Sequence, residues 1–93
     1  MPELHFSIIW PDGTREACYS PSTIVRDHFT PATSYPMPDF LARSRTALHA
    51  ASERVQARYG VPCSLAQAQL ARIEAKASSY PSTSTVTVDS FQE

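Results

Sequence analysis

Cysteine and histidine are the side chains of this sequence that could do nucleophilic or metal chemistry. Cys63 lies just ahead of a predicted helix, where the positive end of the helix dipole favours a thiolate. It is therefore a candidate reactive thiol. The alternative, which we favour, is a small apolar residue packed under the helix start, because free cysteines generally behave as buried hydrophobes. Cys18 falls on the predicted core face of a strand, and we expect it to be buried.

His49 and Glu53 are the one histidine–carboxylate pair with helical spacing. Residues four apart share a helix face, so this pair could contribute two ligands to a metal. Two ligands do not make a site, and we expect an exposed pair and no bound metal. With only two glycines, Gly13 and Gly60, the chain has no glycine-rich phosphate loop, and CxxC, HExxH and GxSxG patterns are absent. We therefore predict no catalytic residue set and no cofactor.

Three arginines are the candidate partner-binding residues. Arg43, Arg54 and Arg58 fall within about 60° of one another around a predicted long helix. Such a stripe could bind an acidic protein surface, a carboxylate ligand or nucleic acid. The alternative is a solvated face whose aliphatic stems cover the edge of the core. Residues 40–77 carry six basic and two acidic side chains, although the whole chain has a net charge of −1.

The N-terminal residues predict a β-hairpin. Alternation of Leu4, Phe6, Ile8 and Trp10 with more polar residues has the period of a strand, with these four side chains on the core face. Residues 11–14 (PDGT) predict a tight turn in which Gly13 supplies the positive φ. The returning strand then places Cys18 opposite Phe6. The first strand is apolar on both faces near its end, so we expect it to lie centrally in the sheet.

Two consecutive helices are the clearest predicted elements. The long helix spans about 38–59, and its inward face comprises Phe40, Leu41, Ser44, Leu48, Ala51, Val55 and Tyr59. Gly60 is its natural stop. The pattern SLAQ at 64–67 matches a capping box. It opens a second helix that runs to about residue 78, with Ala66, Leu70, Ile73 and Ala77 on its inward stripe.

The remaining segments complete one α+β domain. Residues 1–20 form the hairpin, and residues 21–37 form a short helix, with Ser20 as N-cap, followed by a proline-rich connection. Residues 38–78 form the helical hairpin, and residues 79–93 form a loop and a C-terminal strand. The prediction is a small antiparallel three-stranded sheet packed on a helical hairpin, in the order β-β-short α-α-α-β.

Length suggests that the long helix overhangs the domain. A helix of 22 residues extends about 33 Å, whereas a domain of this size has a radius of gyration near 12 Å. Because a second subunit generally covers an overhanging apolar end, we predict a homodimer. No run approaches a membrane span and the first ten residues lack a basic start, so we expect a cytoplasmic protein with reduced thiols.

The motifs taken together resemble those of a known family. They are WPDGT at 10–14, CYSPS at 18–22, DFLARSR at 39–45, ASERV at 51–55, RYG at 58–60, CS at 63–64 and VTV at 86–88. This string is similar to small bacterial nitrogen starvation response proteins. The resemblance implies a gene cluster that includes a nitrilase, a radical-SAM protein, an acetyltransferase and a flavoprotein, and that is associated with the use of nitrile or cyanide nitrogen. It implies no catalytic motif, so no functional residue is carried over.

Three functions remain open at this point. The first is an uncharacterised accessory or interaction protein of a nitrile- or cyanide-nitrogen pathway, binding itself and enzymes of the same cluster. The second is a small enzyme or ligand carrier for a pathway intermediate, using Cys63 or the arginines. The third and weakest is a nucleic-acid-binding regulator, because the net charge is slightly negative. The sequence favours a non-catalytic role over an enzymatic one.

Overall fold

Seven elements form a sheet with a helical hairpin on one face in the computed structural model, which describes residues 3–93. They are β1 (Leu4–Ile9), β2 (Arg15–Ser20), a short 3-10 helix (Thr23–Asp27), β3 (Thr33–Pro36), α1 (Met37–Tyr59), α2 (Ser64–Ala77) and β4 (Thr85–Gln92). The strand order is β2-β1-β4-β3, and every pairing is antiparallel. The α+β class and the central position of β1 are confirmed. No helix within residues 3–93 is both long and apolar enough to cross a membrane.

The β1–β2 hairpin has the predicted register. Phe6 pairs with Cys18, and the Trp10 backbone N–H donates to the Thr14 carbonyl at 2.8 Å. Gly13 adopts φ 89°, a left-handed conformation that an L side chain takes only with strain. The predicted inward side chains Leu4, Phe6, Ile8, Trp10 and Cys18 are all buried.

The sheet has four strands, so the prediction of three is wrong. The missing strand, β3, lies in the segment predicted as a proline-rich connection. Only Tyr35 of this strand is buried, opposite Val86, so four residues give too little alternation to reveal a strand. Pro36 is tolerated because β3 is an edge strand, where a proline costs no pairing on the open side.

Two helix starts also differ from prediction. The 3-10 helix begins after Ser22, whose hydroxyl accepts from the Ile24 N–H, because Ser20 still pairs with Leu4 in the sheet. Ser20 is therefore not the N-cap. At α2 the N-cap residue is Cys63, without a side-chain cap, so the capping box at Ser64 is wrong. The Cys63 N–H is instead bound by an α1 side chain.

A chain of aromatic rings joins the elements inside the core. The ring of Phe40 on α1 lies 5.8 Å from Trp10 and 5.7 Å from Phe29 between ring centres. Phe29 in turn stacks on Phe6 at 6.0 Å, and Trp10 stacks on Tyr80 at 5.7 Å. These contacts connect β1, the loop after the 3-10 helix, α1 and the loop after α2. Phe40 is fully buried at the middle of the chain.

The C-terminal end of α1 projects beyond the core, as its length predicts. Ser52 is the last buried residue of α1 and Ala66 is the first of α2. The longest dimension of the molecule is 38 Å, and the radius of gyration is 12.6 Å. Tyr59, predicted to face inward, is 60% exposed because nothing lies beneath this end of the helix. Residues 53–65 are called the hairpin tip below.

Phe40 and Tyr59 provide a matched test of where the core ends along α1, since both fall on the predicted inward face of this helix. We expect Phe40→Ala to reduce the free energy of unfolding by about 3–5 kcal/mol, because it leaves a cavity in the core. Tyr59→Ala should change it by less than about 0.5 kcal/mol. Urea unfolding followed by circular dichroism measures both values. Similar losses for the two variants would contradict the projecting tip.

The turn between β1 and β2 predicts a pH dependence of stability. The Thr14 hydroxyl and backbone N–H donate to Asp12 Oδ1 at 2.7 and 3.0 Å, and these hydrogen bonds lower the pKa of Asp12 to about 2 from 3.8. A carboxylate with a lowered pKa in the folded state stabilises the fold above its unfolded pKa. That contribution should disappear as the pH falls from about 4 to about 2.

Asp12→Asn keeps an oxygen acceptor for Thr14 and removes the titrating group. The urea midpoint of the variant should fall less steeply than that of the natural chain between pH 4 and pH 2. Parallel curves for the two proteins over that interval would show that Asp12 does not contribute to acid sensitivity.

Candidate functional site

The structure separates the three predicted arginines. Arg43 is used within the fold: its guanidinium donates to Asp39 at 3.0 Å and to the His28 carbonyl at 2.9 Å, and it lies 5.0 Å from the ring of Tyr35. Arg54 lies eleven residues further along α1, about 16 Å away at the rise of a helix. Arg43 is therefore engaged within the fold, whereas Arg54 and Arg58 lie towards the other end of α1.

Arg54 and Arg58 lie on the hairpin tip. Arg58 lies 5.7 Å from the ring of Tyr59. Both arginines are exposed, and neither joins a salt bridge in the part of the chain that the structure describes. Their charges are therefore available to a partner.

Three large apolar side chains of the tip are exposed. Tyr59, Val61 and Leu65 are 60%, 63% and 62% exposed, within seven residues of sequence. Gly60 permits the sharp turn between the helices, with φ 85° and its N–H bonded to the Gln56 carbonyl. Sequence periodicity placed Tyr59 on the inward face of its helix and assigned Val61 and Leu65 to no face. The overhang expected from helix length was the available signal.

Cys63 lies on the tip and is half-buried. Its backbone N–H donates to the Ser52 hydroxyl of α1 at 3.1 Å, which fixes the start of α2 against the end of α1. The Cys63 thiol is free, and it stays a candidate reactive thiol beside the favoured interpretation of a packed apolar residue. Cys18, by contrast, is fully buried in the core, and burial raises the pKa of its thiol far above the ordinary value.

A groove of about 400 Å³ runs between α1 and α2. Its apolar lining residues are Leu48, Pro62, Ala66, Leu70 and Ala71. Its polar lining residues are His49, Ser52, Glu53, Gln56, Gln67 and Glu74. The predicted pair His49 and Glu53 therefore faces this groove. The contribution of α2 was missed, although Gln67, Ala71 and Glu74 have the spacing of one helix face.

An ion pair closes one end of the groove. The Arg45 guanidinium donates to Glu74 at 2.9 Å and joins the two helices. Across residues 3–93, no group of three or more histidine, cysteine, aspartate or glutamate side chains has the arrangement needed to hold a metal ion. The groove therefore offers hydrogen bonds and negative charge to a ligand.

Gln69 is a buried polar residue of α2 that connects this helix to the sheet. It is 2% exposed, and its side-chain oxygen accepts from the Tyr19 N–H of the edge strand β2 at 2.9 Å and from Arg72 at 3.1 Å. An unpaired edge N–H is thereby satisfied. The sequence stripe of α2 did not include Gln69.

The side chains on the sheet face opposite the helices are mostly polar. His5 and Tyr19 lie edge to face at 5.7 Å, as their cross-strand pairing predicts. The Ser34 and Thr87 hydroxyls are hydrogen-bonded at 2.8 Å, and Arg15 pairs with Asp89 at 2.9 Å. These groups satisfy one another across strands.

Comparison with known proteins gives one match. A protein-family model described as "Nitrogen starvation-induced protein NitG" matches residues 5–91. No curated protein and no solved structure matches the chain. Because the matched residues include every strand and helix described above except the first residue of β1 and the last of β4, the chain belongs to the family of nitrogen starvation-induced proteins, NitG.

Proposed function

We propose that this chain is a non-catalytic interaction protein of the nitrogen-starvation response, and that it serves a pathway that assimilates nitrogen from nitriles or cyanide. The observation that carries the proposal is the hairpin tip, which projects from the core with Tyr59, Val61 and Leu65 exposed. The pathway is suggested by the resemblance of the sequence to proteins encoded beside a nitrilase. Family membership supports the link to nitrogen starvation.

The tip has the character of a docking surface. Single exposed hydrophobic residues are ordinary in folded proteins. Three large ones within seven residues at a projecting end are not, because exposed apolar surface favours association. Tyrosine and leucine on a rigid helical turn also lose little conformational entropy on binding.

The positive charge of the tip indicates the chemistry of the surface that a partner should present. Arg54 and Arg58 border the apolar side chains and carry no ion pair among residues 3–93. A complementary surface is an apolar depression bordered by carboxylates, on one of the enzymes of the same cluster. The 13 residues of the tip are fewer than the 20–30 that one side of a standard interface supplies, so a transient complex follows.

The test measures binding of the purified chain to each of the purified neighbouring enzymes: the nitrilase, the radical-SAM protein, the acetyltransferase and the flavoprotein. We expect at least one to bind. The double variant Tyr59→Ser, Leu65→Ser should weaken that binding about tenfold or more, since loss of a tyrosine at an interface hot spot costs about 2 kcal/mol or more. Arg54→Gln with Arg58→Gln should weaken it and remove most of its dependence on salt.

Two variants away from the tip serve as controls. Ala75→Ser on the exposed side of α2 and Arg15→Glu on the sheet should leave the affinity within twofold of the natural chain. Absence of binding to all four enzymes at 100 µM would refute the proposal.

The homodimer stays a prediction, and light scattering at the same concentrations tests it. If the natural chain is a dimer and the double serine variant is a monomer, the tip binds a second copy of the chain. That outcome would refute the proposal that the tip binds one of the enzymes.

A further inference from the structure

Charge is segregated on the helical hairpin. Residues 40–77 include six basic side chains and only two acidic ones, Glu53 and Glu74. Both acidic side chains line the groove between α1 and α2, and none of the six basic side chains does. Asp39, in the first turn of α1, lies outside the groove and pairs with Arg43. Within residues 40–77, the acidic side chains therefore lie in the groove and the basic ones lie outside it.

The two carboxylates are not equivalent. Glu74 is engaged by Arg45 at the end of the groove. Glu53 is exposed and joins no salt bridge within residues 3–93. Glu53 is thus the carboxylate of the groove that can meet a cation without first breaking an ion pair.

The groove also has an apolar floor. Leu48 and Leu70 are buried at its base, whereas Pro62 and Ala71 are exposed and give the groove its accessible apolar surface. Its volume of about 400 Å³ is within the range of small-molecule sites. Gln56 and Gln67 supply neutral hydrogen-bonding groups at the walls.

We propose that this groove binds a small organic cation. Its ammonium or amidinium head pairs with Glu53, and its apolar body packs on the exposed apolar lining of Pro62 and Ala71. The groove includes Glu53, Gln56 and Pro62 of the hairpin tip, but it is lined by none of the exposed apolar side chains or arginines assigned to docking. A neutral or anionic molecule of the same shape gains the apolar contact and lacks the ion pair.

The probes for the test are 4-phenylbutylamine, 4-phenylbutanol and 4-phenylbutyrate, which share one apolar body and differ in the charge of the head. Each is titrated into the 15N-labelled natural chain at low salt, and backbone amide shifts are followed by NMR. We expect the amine to bind with a millimolar Kd and to shift amides in 48–56 and 66–74. The alcohol should bind about two- to fivefold more weakly, as expected for loss of an exposed ion pair, and the carboxylate more weakly still.

Two variants separate charge from shape. Glu53→Gln should weaken amine binding about two- to fivefold and leave alcohol binding unchanged. Ala71→Phe should weaken both by filling the groove. Glu3→Gln, at an exposed carboxylate outside the groove, is the matched control and should bind the amine as the natural chain does. Thermal melts confirm that each variant is folded.

Equal affinity for the three probes would refute the proposal, as would amine-dependent shifts outside these two ranges or an amine affinity unaffected by Glu53→Gln. The enzyme-binding assay of the tip variants is independent of these measurements. Failure of one proposal is therefore distinguishable from failure of the other.

Discussion

The packing of Phe40 between Trp10 and Phe29 is the interaction on which the rest of the structure depends. It brings the first turn of α1 onto the sheet beside the end of β1. Trp10 also stacks on Tyr80, which follows α2. The Trp10 indole N–H also donates to Glu16 of β2 at 2.9 Å, so one side chain joins both strands of the hairpin to the helices. Aromatic pairs of this kind add to the free energy of burying large apolar surfaces. These contacts hold the helical hairpin against the sheet over the half that the sheet covers.

Because the sheet covers only that half, the other half of the hairpin is available for recognition. The aromatic chain, Leu48, Ile73 and Val86 fill a core that a chain of 93 residues can enclose only once. Beyond Ser52 the helices have each other but no sheet beneath them, and apolar residues there stay exposed. The same geometry produces the groove, since two helices on a sheet leave a furrow along their outer side. The core thus ends near Ser52 along α1, and the exposed apolar side chains of the tip lie beyond it.

The two proposed recognition surfaces carry opposite charge. Arg54 and Arg58 border the tip, whereas Glu53 and Glu74 line the groove. Neighbouring residues of one helix reach these two surfaces because successive side chains are turned by about 100°. A partner at the tip and a cation in the groove would therefore occupy adjacent parts of the hairpin without competing for the same side chains.

Local pattern in the sequence determined the hairpin register, both long helices, the inward stripe of α2 and the central place of β1. Each follows from a period, a turn or a stop that acts between residues close in the chain, as at Gly13, Gly60 and the alternation from Leu4 to Trp10. Tertiary structure alone decided the strand β3, the pairing of Gln69 with the edge of β2, the hydrogen bond from Arg43 to the His28 carbonyl, and the placement of Glu53 and Glu74 in one groove. Those outcomes depend on which distant elements come into contact. Helical periodicity fixes the direction of a side chain around its own axis, but whether that direction meets a sheet, a second helix or solvent is set by where the core ends.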